Sequence, residues 1–228
     1  LKKLNHIAII PDGNRRWAKK HGKSISEGHW AGIQKLQEVA GWCKELGVKY
    51  LTLWIFSTEN ASRPSEEVST LFKLFDKMLD EVEKKYDEDE GVSFRFVGRL
   101  DLFPKELVAR AKSIEEKTKG RSLQVIILMG YGGRQEIVDA VNKLIGDVKK
   151  GKTDKIDEKT FTSYLYAPDV PDPDLIIRTA EKRLSGLLPW QGVYSEIYFC
   201  KKLWPEFTKK DLAAAVRQYY ATERRFGR

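Results

Sequence analysis

The sequence is poor in the residues that staple small folds or build metal clusters. In 228 residues it has two cysteines, Cys43 and Cys200, and three histidines, His6, His21 and His29. Two distant cysteines make no disulfide framework and no zinc site; with apolar neighbours they read as reduced thiols in or near the core. The histidines are too dispersed to argue a metal cluster. No run of about 18 apolar residues occurs, which excludes a transmembrane helix. Leu1–His6 leads straight into an apolar run, without the h-region or cleavage site of an export signal, so a cytoplasmic setting is expected. Repeats, low-complexity tracts and linkers are missing too. One domain over residues 1–228 is therefore expected, and this length can bury a sizeable core.

What is present is an ordinary core with a surplus of positive charge. Apolar residues make up 41% of the chain, and 41 lysines and arginines face 33 acidic residues, a formal charge of +8. That surplus suits nucleic acid, an anionic membrane or small anionic substrates, and charge alone does not choose. Periodicity gives the architecture. His6–Ile10 is a short apolar strand, followed by a loop and then helical spacing through Ala31, Leu36 and Val39 to Leu46, stopped by Gly47. Val48–Phe56 is β-branched and aromatic, the strongest strand. Ser65–Asp89 reads as a long helix whose tail, Lys84–Glu90, is a solvated charge run. Val92–Val97 is a strand, and Pro104 takes the first position of a helix. Val125–Met129 is apolar throughout, like a central strand buried on both faces. Gln135–Val148 is helical, Asp174–Ile177 and Glu196–Phe199 are short strands, and Thr208 caps a last helix to Tyr220. Strands alternating with helices predict an α/β fold with a mainly parallel central sheet flanked by helices. Ligands in such folds gather beyond the carboxyl ends of strands. The loops after Ile10, Phe56, Val97, Met129 and Ile177 are thus the ones to inspect.

Pro11-Asp12-Gly13-Asn14-Arg15-Arg16-Trp17 follows the first strand. Gly13 permits a tight turn, and Asn14 can cap the next helix, whose amides, with Arg15 and Arg16, suit phosphate oxygens. Asp12 would repel a phosphate unless a cation lay between them, which asks for Mg2+. The plain alternative is an Asp-Gly turn with solvated arginines. Phe56-Ser57-Thr58-Glu59-Asn60-Ala61-Ser62-Arg63-Pro64 is dense in hydroxyl, amide and guanidinium groups, and reads as a phosphate wall or as a capped connection. Gly130-Tyr131-Gly132-Gly133-Arg134 matches neither a P-loop nor G-x-G-x-x-G, so a tight structural turn is favoured. Arg178–Ser185 is a polar, basic stretch, either a binding loop or a solvated one. Glu196 sits between Tyr194 and Tyr198, where a carboxylate is expected to pair or to bind a metal. His29 can donate to phosphate or simply end a helix. Together, Asp12, Arg16, Ser57, Arg63, Arg178, Arg183 and Ser185 fall on one rim of one sheet, with charge enough for two phosphorylated groups.

The ordered set His6–Ala18, Gly28-His29, Phe56–Asn60 with Arg63-Pro64, Gly130–Arg134, Asp174–Thr179, and Trp190-Gln191 with Tyr194–Phe199 resembles the cis-prenyltransferase family. Its best-known members are undecaprenyl diphosphate synthases, and the likeness covers essentially the whole chain. It implies a homodimeric α/β transferase with an apolar product tunnel. The implied reaction condenses isopentenyl diphosphate repeatedly onto an allylic diphosphate primer, farnesyl or geranylgeranyl diphosphate. Mg2+ is the implied cofactor and a cis-polyprenyl diphosphate the product. Such a product is expected to associate with membrane, placing the enzyme in the cytoplasm and peripheral to the membrane.

Carried over by motif, Asp12 and Asn60 would be catalytic, with Asn60 beside the reacting centre. Gly13, Asn14, Arg15 and Arg16 would bind the allylic diphosphate, with Trp17 and His29 close by. Ser57, Thr58, Glu59 and Arg63 would complete that wall. Arg178, Arg183, Leu184 and Ser185 would hold isopentenyl diphosphate, and Asp12 and Glu196 would be the metal ligands. Arg225-Phe226-Gly227 resembles a motif in which Arg225 and Gly227 reach across the dimer. The chain departs from the pattern at Pro11, where many bacterial members have Met, at Ala61, where the family often has Trp, and at Ser24-Ile25-Ser26, where an arginine is usual. Thr179-Ala180-Glu181-Lys182 is one residue shorter than usual. These departures suggest a divergent, archaeal-type member. Trp54 and Ile55, bulky just before the second loop, are candidates to limit product length, and Leu71, Phe72, Phe75 and Leu79 to line a tunnel. A non-catalytic accessory subunit is disfavoured by the joint presence of Asp12, Arg16, Asn60 and Glu196. Nucleic acid is disfavoured because the arginines cluster at loops. Transfer of the prenyl group to a different acceptor stays open. The Asp-Asp-x-x-Asp motifs of trans-type synthases are absent, since Asp87-Glu88-Asp89-Glu90 lies in a charge run.

Overall fold

Six parallel strands carry the architecture. They are β1 (His6–Ile10), β2 (Tyr50–Ser57), β3 (Val92–Val97), β4 (Leu123–Tyr131), β5 (Leu175–Thr179) and β6 (Glu196–Cys200), in the spatial order β3-β4-β2-β1-β5-β6. The helices are α1 (Asn14–Lys20), α2 (Ile25–Glu45), α3 (Ser65–Tyr86), α4 (Lys105–Thr118), α5 (Gly133–Lys149), α6 (Glu158–Thr162) and α7 (Lys209–Ala221). This computed structural model describes residues 3–86 and 91–223. The expected end of the long helix at Asp89, the charge run over 87–90, and Arg225 and Gly227 lie outside the described residues.

β1 lies mid-sheet; the chain adds β2 beside it, moves out to the edge at β3, returns to insert β4 between β3 and β2, then crosses to the other side of β1 for β5 and β6. That reversal puts a crevice beyond the carboxyl ends of β1 and β5, where a parallel sheet binds ligands. Both strands are buried at every position, which is why their sequences are apolar almost without a break. Alternate residues still divide between two cores. Ile7 and Ile9 pack with Leu36 and Val39 of α2, Leu71 and Phe75 of α3, and Leu107 of α4. Ala8 and Ile10 face the other side, against Trp54, Ile126, Ile176 and Leu188.

One irregularity shapes the site. Trp54 pairs with Leu128 and Phe56 with Met129, so Ile55 is an extra residue in β2. The bulge returns Phe56 to the α2–α3 side, where its ring meets Phe72, Phe75 and Phe103 at centroid distances of 5.2 to 6.2 Å. Trp54 stays on the opposite side, its indole N–H donating to the Tyr131 carbonyl at 3.1 Å. Of the two candidates for limiting product length, only Ile55 thus packs toward the α2–α3 core.

The buried His6 ring is satisfied at both nitrogens. The Nδ1–H of His6 donates to the Pro171 carbonyl at 2.6 Å and its Nε2 accepts from the Thr52 hydroxyl at 2.8 Å. Burial depresses its pKa to about 4, so the ring is neutral. Cys43 and Cys200 are free and buried, and burial pushes the Cys43 thiol up to about 12.

Several boundaries differ from expectation. β4 runs two residues past Met129 and β5 two past Ile177. Pro104 is the residue before α4, its carbonyl accepting from Val108 N–H at 3.1 Å. Asn14 does not cap α1. Gly13 occupies that position, and the Asn14 side chain is buried against Gly32 of α2. α6 is too short to give a periodic signal, and the helix expected after Asn14 is divided by a turn into α1 and α2. Ser24 begins α2 with a reciprocal capping box to Glu27.

Candidate active site

A cavity of about 550 Å3 opens beyond β1, β2 and β5. Its floor is fixed by backbone. Asp12 N–H donates to the Thr179 hydroxyl at 2.9 Å, and that hydroxyl donates to the Asp12 carbonyl at 2.7 Å. Trp204 N–H donates to the same carbonyl at 2.9 Å. Gly13 then turns the chain at φ 115°, with the Leu203 backbone only 3.0 Å from where a Cβ would stand. The loop after β1 is thereby clamped to β5 whatever its side chains do.

The side chains form an alternating line of charge. Arg178, 4% exposed, donates to Ser185 Oγ and to Asp12 Oδ2, both at 2.8 Å. Asp12 Oδ1 lies 3.3 Å from Arg16, and Arg16 reaches Glu181 at 2.8 Å. Glu181 meets Arg183 at 2.9 Å. A second group stands opposite, where Glu67 lies 3.6 Å from Arg15 and 3.1 Å from Arg63. His29 lines the cavity beside it. Burial, then repulsion from Arg63 and Arg15, lowers its pKa to about 4, so it is a neutral imidazole there. Its Nε2 is buried without a hydrogen-bond partner.

The glycine-rich loop supports these walls from behind. A Cβ on Gly132 would stand 2.4 Å from the Thr58 hydroxyl, and one on Gly133 would stand 2.3 Å from the Gly186 carbonyl. Gly133 N–H donates to that same carbonyl at 3.1 Å. The structural-turn reading of Gly130–Arg134 is the one the packing supports. Ala180, at φ 66°, makes a tight γ-turn closed by Glu181 N–H on the Thr179 carbonyl at 2.8 Å.

The cavity brings together Asp12, Gly13, Asn14, Arg15, Arg16, His29, Ser57, Asn60, Arg63, Arg178, Arg183 and Ser185. Asn60 Oδ1 accepts from Ser57 N–H at 3.1 Å, so its amide is oriented by the turn it closes. Four of the expected substrate-binding residues are not on the wall. Trp17 lies in a separate groove with Trp30, its ring against His21 at 4.6 Å. Thr58 packs on Gly132, Glu59 is exposed, and Leu184 packs under the sheet. Sequence reasoning missed Glu67, Glu181 and Thr179. Only Glu67 had a local signal, four residues after Arg63 on the start of α3.

Among the described residues that line the cavity itself, Asp12 is the one carboxylate, against five guanidinium groups. Among the described residues no group of three or more His, Cys, Asp or Glu side chains is placed to hold a metal. A single partly exposed carboxylate facing an arginine-lined cavity suits Mg2+, which commonly takes one or two carboxylates with substrate phosphates and water.

The family model described as "Putative undecaprenyl diphosphate synthase" matches residues 10–227. The chain belongs to that prenyltransferase family. The isoprenyl transferase of Thermotoga maritima is 50% identical over 224 residues, covering 97% of this chain and 96% of the relative. The geranylgeranyl-diphosphate-specific tritrans,polycis-undecaprenyl-diphosphate synthase of Methanopyrus kandleri is 48% identical, covering 98% of this chain and 84% of the relative. Among solved structures, the lavandulyl diphosphate synthase of Lavandula x intermedia, in complex with dimethylallyl diphosphate, is 34% identical with a TM-score of 0.94, covering 98% of each chain.

One expected metal ligand stands away from the cavity. Glu196 opens β6 and pairs with Leu175, itself in register with Ile7. Asp12 follows the other end of β1, about 16 Å away along the strand direction at roughly 3.3 Å per residue. Strand polarity therefore keeps Glu196 from sharing a cation with Asp12 in one chain.

Proposed function

We propose that the cavity seats two diphosphates side by side and that the enzyme extends an allylic primer by repeated cis addition of isopentenyl units. The supporting observation is a line of cavities leading from the charged wall into the α2–α3 core. The main cavity and a void of about 40 Å3 share Ile55 and Leu71. That void and a deeper one of about 30 Å3, lined by Ala40, Leu53 and Phe96, share Ile33 and Leu36. Each void has room for about one water, so the side chains of α2 and α3 would part as a chain enters. This apolar path favours elongation over delivery to a different acceptor.

In this reading Arg15 and Arg16 stabilise negative charge on the departing allylic diphosphate. Arg183 and Ser185 seat isopentenyl diphosphate, while the buried Arg178 fixes Ser185 relative to Asp12. The allylic C–O bond breaks and its electron pair leaves with the diphosphate. The isopentenyl double bond attacks the allylic carbon, and a proton leaves the isopentenyl C2, giving an allylic diphosphate one unit longer. Alignment of the two substrates supplies the proximity. Asn60 is a hydrogen-bonding group rather than a base, and would orient the proton toward a diphosphate oxygen. Asp12 would hold Mg2+, whose charge would lower the barrier to diphosphate departure when bound.

The active form we infer is a homodimer. Val138, Val141, Ile145 and Val148 make an exposed apolar stripe on α5, and Glu196 would serve a cation only across a subunit contact. Among the described residues no helix is long and apolar enough to cross a membrane, so membrane association would be peripheral and through product. The test is incubation with radiolabelled isopentenyl diphosphate and farnesyl or geranylgeranyl diphosphate, with and without Mg2+. A ladder of products spaced by single isoprene units is expected. Absence of elongation from either primer would overturn the reading.

A further inference from the structure

Glu181 touches both halves of the charged wall. Its Oε1 accepts from Arg16 at 2.8 Å and its Oε2 from Arg183 at 2.9 Å. Arg16 stands on α1 and Arg183 on the loop after β5, so one carboxylate ties together two elements that flank the cavity. Asp12 shares Arg16 and also holds Arg178, and Glu67 pairs with Arg15 and Arg63, so of these three carboxylates Glu181 is the one paired with Arg183. The γ-turn at Ala180 hangs Glu181 directly from Thr179, which clamps the Asp12 backbone. The Glu181 side chain is 29% exposed, so on leaving the arginines it can turn into water.

Two oxygens accepting from two guanidinium forks reproduce the pattern that a phosphate group offers, with less charge. We propose that Glu181 is an internal counter-ion that takes the place of a phosphate on Arg16 and Arg183 between rounds of diphosphate binding. It rests on the diphosphate reading of the cavity. Glu181 keeps Arg16 and Arg183 aligned, yields them to an incoming diphosphate, and competes for them again when that diphosphate must leave. It is a positioning residue, acting through the arginines, that weakens diphosphate binding. Each addition leaves inorganic diphosphate behind, and a returning carboxylate a few ångströms away repels it at close range. The competition therefore favours turnover over tight binding.

Calorimetric titration of inorganic diphosphate into the full chain, with Mg2+ present throughout, tests this. Glu181→Gln keeps the shape and one acceptor but removes the charge. It is expected to bind inorganic diphosphate roughly tenfold more tightly, the equivalent of about 1.4 kcal/mol. KM for isopentenyl diphosphate and kcat should both fall. Glu181→Asp retains the charge and is expected to show no such tightening. Unchanged or weaker binding by E181Q, or equal tightening by E181D, overturns the counter-ion role while leaving the diphosphate site standing. No binding of inorganic diphosphate by the wild-type chain overturns the site reading and this inference together.

Discussion

Asp12 is pulled from two sides, by Arg178 at one carboxylate oxygen and Arg16 at the other, while its backbone is held by Thr179 and Trp204. Fold and charge are therefore separable at this residue. Asp12→Asn should keep the backbone clamp, leave circular dichroism unchanged and lower elongation by about 10^3-fold, the scale of losing one charge-stabilising group. Near-normal incorporation of radiolabel would refute its assignment. Ala180 offers the opposite test, of strain without charge. A non-glycine residue at φ 66° is disfavoured by Cβ crowding, so Ala180→Gly should stabilise the fold by about 1 kcal/mol. The denaturant midpoint should rise with the slope unchanged; a lower midpoint would show that the turn is not strained. At this scale the sequence announced residue types well and partners badly. Asp12, Arg16 and Arg178 were recognisable from loop chemistry and family likeness. That Arg16 meets Glu181, 165 residues away, depends on strand order and has no local signature.

Elements were legible in proportion to their periodicity. β1, β3 and the long helices follow their apolar patterns closely, because central parallel strands and core-facing helices leave strong period signals. The bulge at Ile55 was not legible, since an extra residue in a strand keeps the same composition and only changes which face follows. Yet it sends Phe56 to the α2–α3 side, and with it the aromatic cluster beside the proposed product path. Ser24-Ile25-Ser26-Glu27 carries a readable capping box in the stretch where the family usually has an arginine. The path between α2 and α3 gives a prediction at this scale. Ala40 is 3% exposed and lines the deepest void. Ala40→Leu should fill that void and shorten the product distribution, with a packing penalty of about 1–3 kcal/mol in the empty enzyme. Chromatographic sizing of products decides it, and an unchanged distribution would place the growing chain elsewhere.

At the scale of the whole molecule, stability is tied to pH through a neutral imidazole. His6 in the fold titrates at about 4 against an ordinary 6.5, because its ring is buried. The unfolded chain takes up a proton over that interval and the folded chain does not. Stability should therefore be full above about pH 6.5, fall by the order of 2–3 kcal/mol toward pH 4, and lose nothing more from this group below it. Urea midpoints for the wild type and His6→Gln isolate the effect, since the variant should lack this component; equal slopes for both would count against it. Assembly gives the last prediction. Val138, Val141, Ile145 and Val148 are spaced by three, four and three along α5, and are 39% to 52% exposed. That is the seam of a helix meeting another helix, and among the described residues the rest of the fold leaves it exposed. In a two-fold dimer the same stripe from a second copy would cover it, since a self-complementary patch meets itself across the axis. Ile145→Glu would set two carboxylates facing each other in an apolar seam, while altering only surface in the monomer. Sedimentation should then show a dimer for the wild type and a monomer for the variant. Elongation should fall with the dimer if the neighbouring copy helps to complete the site, and a wild-type chain that sediments as a monomer at micromolar concentration would remove both claims.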